Sequence, residues 1–144
     1  MFRRILVAVD GSPHSRAALE VARGLGEALG AELWIVHAYA PTSDLLGYTD
    51  FTQRVSQRKS RGQTLLDEMR RSLGESPLAV TEELIEGPGA EAILKVAATR
   101  AVDLIVMGTR GLGALGDMVL GSVSRKVTQG AACPVMLARA PEAS

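Results

Sequence analysis

The sequence predicts an α/β fold: a single domain on a doubly wound parallel sheet of five strands, with helices on both faces. Five short apolar runs alternate with four stretches whose apolar residues recur every three or four positions, the pattern of strand and covering helix in turn. Two of the runs, Ile5–Val9 and Leu104–Met107, are unbroken, as strands buried on both faces tend to be. A chain of 144 residues with 47% apolar content suffices for one core and is too short for two ordinary domains. Residues 1–140 are therefore expected to form the domain, and 141–144 a short flexible tail.

Ile5–Val9 is the first strand, and Asp10-Gly11-Ser12-Pro13 follows it. Ser12 suits a helix N-cap and Pro13 the first helical position. Ala18, Val21, Ala22, Leu25 and Leu29 supply the apolar stripe of that helix, and Gly30 stops it. Leu33–Ala38 is the second strand. Pro41–Thr52 is polar and is expected to be a loop. A helix is predicted over Gln53–Leu73, with Leu65, Leu66, Met69 and Leu73 buried. Its basic face, Arg54, Arg58, Lys59 and Arg61, is expected to be solvated surface. Val80–Ile85 carries Glu82 and Glu83, too much charge for a sheet centre, and is assigned to an edge. Gly87-Pro88-Gly89 opens a third helix with Ala90, Ile93, Leu94 and Ala97 on one side, and Glu91 suits its first turn. Pro134–Ala138 is the last strand.

Between the third helix and that strand lies the most informative segment. Asp103–Met107 forms a buried strand, which breaks into a long loop, Thr109–Leu120, punctuated by Gly108, Gly111, Gly113, Gly116 and Gly121. A helical pattern resumes over Val123–Ala131. Glycine lets the backbone approach a ligand, and the first amides of a helix are donors without internal partners, so this segment has the makings of a phosphate cradle. Ligands in such sheets bind at the carboxyl ends of strands, where the winding reverses. If the glycine loop is the site, the fourth strand lies beside the first, the order is 3-2-1-4-5, and Asp10 faces Gly108 across a crevice.

Several functions are disfavoured. Charges balance at sixteen of each sign, which argues against nucleic acid or an anionic membrane as main partner. The amino-terminal apolar run is too short for a secretion signal, and a lone cysteine, Cys133, suits a reducing cytoplasm. Gly111-Leu-Gly113-Ala-Leu-Gly116 matches the dinucleotide fingerprint literally, but the helix waits until Ser122 and the next strand has no acidic residue. A Walker loop would need a lysine before Ser122. Metal-ligand spacings and a nucleophile elbow are missing, His14 and His37 have no evident ligand partners, and His37 suits a satisfied core or strand-end histidine. Cys133 suits a buried small hydrophobe.

Gly108, two residues, Gly111, nine residues, Gly121-Ser122, together with Asp10 after Ile5-Leu-Val-Ala-Val, resembles the universal stress protein family in its ATP-binding branch. The resemblance covers nearly the whole chain, through Cys133-Pro-Val. It implies the order 3-2-1-4-5, a homodimer paired through the last strand, Val135–Ala138, and ATP, with or without Mg2+, in the crevice. By position it assigns the phosphates to Gly111, Gly121 and Ser122, with Val123 and Ser124 completing that wall. Ala8, Ala38, Met107 and Gly108 would line the adenosine, and Asp10 would contact adenine or ribose. Arg110 and Arg125 are further candidates for the phosphates, with a solvated surface charge the equal alternative for each. The function implied is a nucleotide-dependent stress or signalling role through partner binding. The alternatives are a slow ATPase or phosphotransferase, and a dimeric scaffold without nucleotide. Neither a positioned general base nor a magnesium carboxylate beyond Asp10 and Asp117 supports an enzyme.

Overall fold

A computed structural model of the chain describes residues 1–41, 48–110 and 120–141, side chains of 48 and 49 excepted. Its elements in chain order are β1 (Arg4–Ala8), α1 (Pro13–Leu29), β2 (Glu32–Tyr39), α2 (Tyr48–Ser72), β3 (Val80–Glu86), α3 (Gly89–Thr99), β4 (Leu104–Gly108), α4 (Ser122–Gly130) and β5 (Val135–Ala138). The five strands form one sheet in the order β3-β2-β1-β4-β5, every pairing parallel. The expected topology is the observed one.

Alternation along the strands sends side chains to two cores. Ile5, Val7, Leu33, Ile35, Leu104 and Val106 meet Ala18, Leu19 and Ala22 of α1 and Leu66 and Met69 of α2 on one face. Leu6, Ala8, Val36, Ile105 and Met107 meet Ala90, Ile93 and Val96 of α3 and Val127 of α4 on the other. Each large side chain fully buried in this way stabilises the fold by roughly 1.5–3 kcal/mol. Because α1 and α4 lie on opposite faces, the chain leaves the neighbouring strands β1 and β4 in opposite directions. That divergence opens a crevice at their carboxyl ends.

Local chemistry explains most boundaries. Ser12 caps α1, its hydroxyl accepting the Ser15 N–H at 3.2 Å, and Pro13 opens the first turn. Gly30 ends the helix at φ 66°, a left-handed conformation that glycine takes without penalty. Gly62 is buried on α2, where a Cβ would come 2.6 Å from Leu84 Cδ1 and 3.3 Å from His37 Cδ2, so its absence lets the helix settle on β2 and β3. Glu82 and Glu83 on the edge strand β3 point to opposite sides. Each finds an arginine, Arg70 at 3.5 Å and Arg100 at 3.1 Å.

Two expectations need correction. Tyr48–Thr52 belongs to α2 rather than to a loop. Nothing after Gly47 interrupts a helix, and Asp50 in the first turn interacts favourably with the positive end of its dipole. In α1, Val21 and Leu29 are exposed. The buried face runs through Ser15, Ala18, Leu19, Ala22 and Gly26, which puts Val21 to one side of it, while Leu29 sits in the last turn against the Gly30 stop. On the basic face of α2, Arg54, Lys59 and Arg61 are exposed. Arg58 instead ties the helix to the end of β2, donating to the carbonyls of Ala40 at 2.9 Å and Pro41 at 3.1 Å. Residues 142–144 of the expected tail lie outside the described residues.

Candidate functional site

Hydrogen bonds fix the three segments that meet at the carboxyl ends of β1, β2 and β4. After β1 the chain turns through Gly11 at φ 83°. An oxygen of Asp10 accepts the Ser12 N–H at 2.9 Å, and the Ser15 hydroxyl accepts the Asp10 N–H at 3.2 Å while donating to the Ser12 carbonyl. The Asp10 backbone is thereby tied to the first turn of α1 rather than left on a free loop. At the end of β2, His37 Nδ1 lies 2.7 Å from the Val9 carbonyl. A carbonyl only accepts, so Nδ1 carries the hydrogen. After β4, the Thr109 N–H donates to Ala138 at 2.9 Å, the Gly121 N–H donates to Thr109 at 2.8 Å, and the Ser124 hydroxyl donates to Gly108 at 2.8 Å. The two ends of the glycine segment are thus held against each other.

A cleft of about 290 Å³ lies between these segments. Ala8, Ala38 and Met107 form apolar wall, Asp10 and Gly108 line the cleft after β1 and at the end of β4, and Arg110 stands at the loop entry. Gly121, Ser122, Val123 and Ser124 line it from the start of α4. Gly111 and Asp117 lie outside the described residues. Arg125 does not line the cleft and is exposed on α4. Ser124 lines the cleft, but its hydroxyl hydrogen is committed to the Gly108 carbonyl. Its contribution is to position the strand end against the helix.

The start of α4 differs from that of α1. Gly121 occupies the N-cap and offers no side chain to accept the first amides of the helix, and the first turn holds no acidic residue. The first amides of an α-helix have no partner within it, and Ser122, Val123 and Ser124 line the cleft. Cys133 belongs elsewhere. Burial, followed by the charge of Asp103, pushes its thiol up, and Asp103 accepts the amides of Arg3 and Arg4 at the opposite, amino edge of the sheet. Among the described residues no group of three or more His, Cys, Asp or Glu side chains could hold a metal ion.

Sequence reasoning missed Val9, Ser15, Val36, His37, Gly89 and Ile93, which also line the cleft. Ser15 follows the cap by one turn and carries no motif of its own. His37 is satisfied by Val9, as its strand-end position suggests, yet it also borders the cleft. Ile93 falls within the α3 stripe, and Gly89 adjoins Val123, whose Cγ2 a Cβ there would approach to 3.4 Å.

The model of the universal stress protein family matches residues 1–139. A universal stress protein of Thermus aquaticus, from the 3′ region of its QAH/OAS sulfhydrylase, is 45% identical over 142 residues, spanning 96% of this chain and 100% of the relative. The chain belongs to the universal stress protein family. Universal stress protein YxiE of Bacillus subtilis is 36% identical over 148 residues, with 96% and 100% covered. Among solved structures, the hypothetical protein MJ0577, whose biochemical function was assigned from its structure, superposes with a TM-score of 0.89 at 21% identity, covering 99% of each chain. A universal stress protein in complex with cAMP gives 0.74 at 23% identity, over 97% of this chain and 99% of its own. A family protein of Arabidopsis thaliana with AMP bound gives 0.72 at 19%, over 96% and 92%. At these identities the three structures share the universal stress protein fold, five parallel strands and the covering helices.

Proposed function

We propose that this universal stress protein binds ATP, alone or as its magnesium complex, in the cleft between β1 and β4, and that nucleotide occupancy governs its association with other proteins in a stress response. The observation that carries the reading is the start of α4, where the N-cap Gly121 brings no side chain to the first amides, lining a cleft with an apolar wall. The helix amides and the Ser122 hydroxyl suit phosphate oxygens, and Ala8, Ala38 and Met107 suit an adenine ring. Asp10 would accept from ribose or adenine. That two proteins of this fold hold AMP or cAMP supports an adenine nucleotide as the ligand class. A helix end contributes only ~0.3–2 kcal/mol to anion binding, whereas micromolar affinity needs about 8 kcal/mol. Backbone donors of the glycine segment and burial of the base must supply most of the remainder.

The test is a thermal scan. ATP at a hundredfold excess over its dissociation constant should stabilise the protein by about 2.7 kcal/mol, and NADH or FMN at equal concentration should give no comparable shift in Tm. An equal or larger shift with NADH overturns the assignment.

The same reading includes a homodimer through β5. The two sheet edges differ in kind: β3 presents Glu82 and Glu83, whereas β5 presents Val135, exposed Met136 and Leu137 without a charge. An uncharged edge is open to pairing with a second strand. Light scattering is expected to give twice the 15.2 kDa chain mass. A monomer at micromolar concentration removes the pairing.

A further inference from the structure

His14, in the first turn of α1, joins three parts of the fold through one imidazole. The Ala140 backbone N–H, just past β5, lies 2.8 Å from Nδ1. A backbone N–H can only donate, so Nδ1 is the acceptor and the neutral ring carries its hydrogen on Nε2. That Nε2 lies 3.3 Å from Nη2 of Arg110. A guanidinium has no acceptor atom, so two N–H groups face each other beside a cleft that Arg110 lines. Whatever else the guanidinium pairs with, such an approach brings two donors to one place. An oxyanion accepting from both groups converts it into two hydrogen bonds, at least one of them charge-assisted. The residue also packs against the end of β4, because its Cβ occupies the space that a side chain on residue 108 would need.

We propose that Nε2–H of His14 and the guanidinium of Arg110 together hold a phosphate group of the bound nucleotide. The inference rests on the nucleotide reading above and adds to it a residue outside the glycine motif. His14 acts as a donor whose tautomer is set by the Ala140 amide. Ala140 thereby becomes a positioning group, and phosphate binding is connected to the segment that leaves β5.

Two conservative variants separate ligand binding from packing. In His14→Asn the carboxamide oxygen falls near the place of Nδ1, keeping an acceptor for Ala140 while losing the distal donor. In His14→Gln the amide reaches the place of Nε2 and restores that donor. Titration calorimetry with adenosine, AMP, ATP and inorganic phosphate is expected to show His14→Asn weakening AMP and ATP about tenfold, the loss of one hydrogen bond to a charged group. Adenosine should be unaffected, and His14→Gln should recover most of the loss. Long-range ¹H–¹⁵N spectra should show the parent His14 protonated on Nε2.

Equal losses for ATP and adenosine, or unchanged ATP affinity in His14→Asn, would overturn the proposal and leave the nucleotide reading standing. A parent that binds none of the three adenine compounds nor phosphate would remove both. Binding of inorganic phosphate alone, lost in His14→Asn, would keep the donor pair as an anion receptor and reject the nucleotide.

Discussion

Gly108→Ala is expected to lose about 2 kcal/mol of folding stability, within the usual cost of forcing extra volume into a packed site. The sign is the informative part. Glycine inside an element is ordinarily unfavourable by roughly 0.5–1 kcal/mol relative to alanine, so on propensity alone the substitution would stabilise. Here a Cβ would stand 2.7 Å from His14 Cβ, 2.8 Å from the His14 carbonyl carbon and 3.0 Å from the Ser15 nitrogen. Two of those atoms are backbone, held by the Ser12 cap and the Asp10 turn, and cannot swing aside as a side chain would. Gly24→Ala is the control. It lies within α1, a Cβ there would meet nothing within 4 Å, and it should gain about 0.5–1 kcal/mol. Urea unfolding of both variants tests the contrast. A stabilised Gly108→Ala would show that the first turn of α1 yields freely.

Gly121→Val is expected to weaken ATP by at least tenfold, about 1.4 kcal/mol, while the protein still folds and its association state is unchanged. Gly121 has φ −71° and ψ 166°, extended backbone that any residue adopts, so no conformational strain requires glycine there. Its value lies in space. The residue is buried in the cleft wall at the head of α4, where an isopropyl group would stand between the first amides and a phosphate. Losing a tolerated glycine N-cap should lower stability by no more than about 1 kcal/mol. Ser122→Ala removes a hydroxyl and leaves the amides in place, so its loss should be the smaller one. Calorimetric titration beside circular dichroism decides. A folded Gly121→Val that binds ATP as the parent does would put the phosphates elsewhere.

The elements most legible in the sequence were those whose pattern has one physical cause. Ile5–Val9 and Leu104–Met107 are apolar at every position because both of their faces are covered, and the charges of Val80–Ile85 marked a strand with an open side. The start of α2 was hidden because Tyr48–Thr52 has neither an apolar stripe nor a capping signal of its own. The reach of Val21 and Leu29 depended on where α1 sits on the sheet, which periodicity does not encode. Within the cleft, the spaced glycines pointed to the region, and most residues assigned by resemblance line it. Ser15, His37 and His14 were not assigned to the site because their relevance comes from partners 5, 28 and 126 residues away. The packing role of Gly108 was equally out of reach, since its neighbours, His14 and Ser15, lie in the first turn of α1, far back along the chain.

The clasp between Thr109 and Gly121 has a consequence for how such a protein can change. A hydrogen bond joins Thr109, at the end of β4, to Gly121, at the head of α4, with Ser124 and Ala138 securing either side. Thr109, Gly121, Ser124 and Ala138 therefore form a socket closed by their own contacts, for whatever insert joins its two sides. Doubling the length of such an insert adds only about 0.6 kcal/mol of closure entropy. Ligand preference can drift inside the socket while folding is inherited intact from the frame around it.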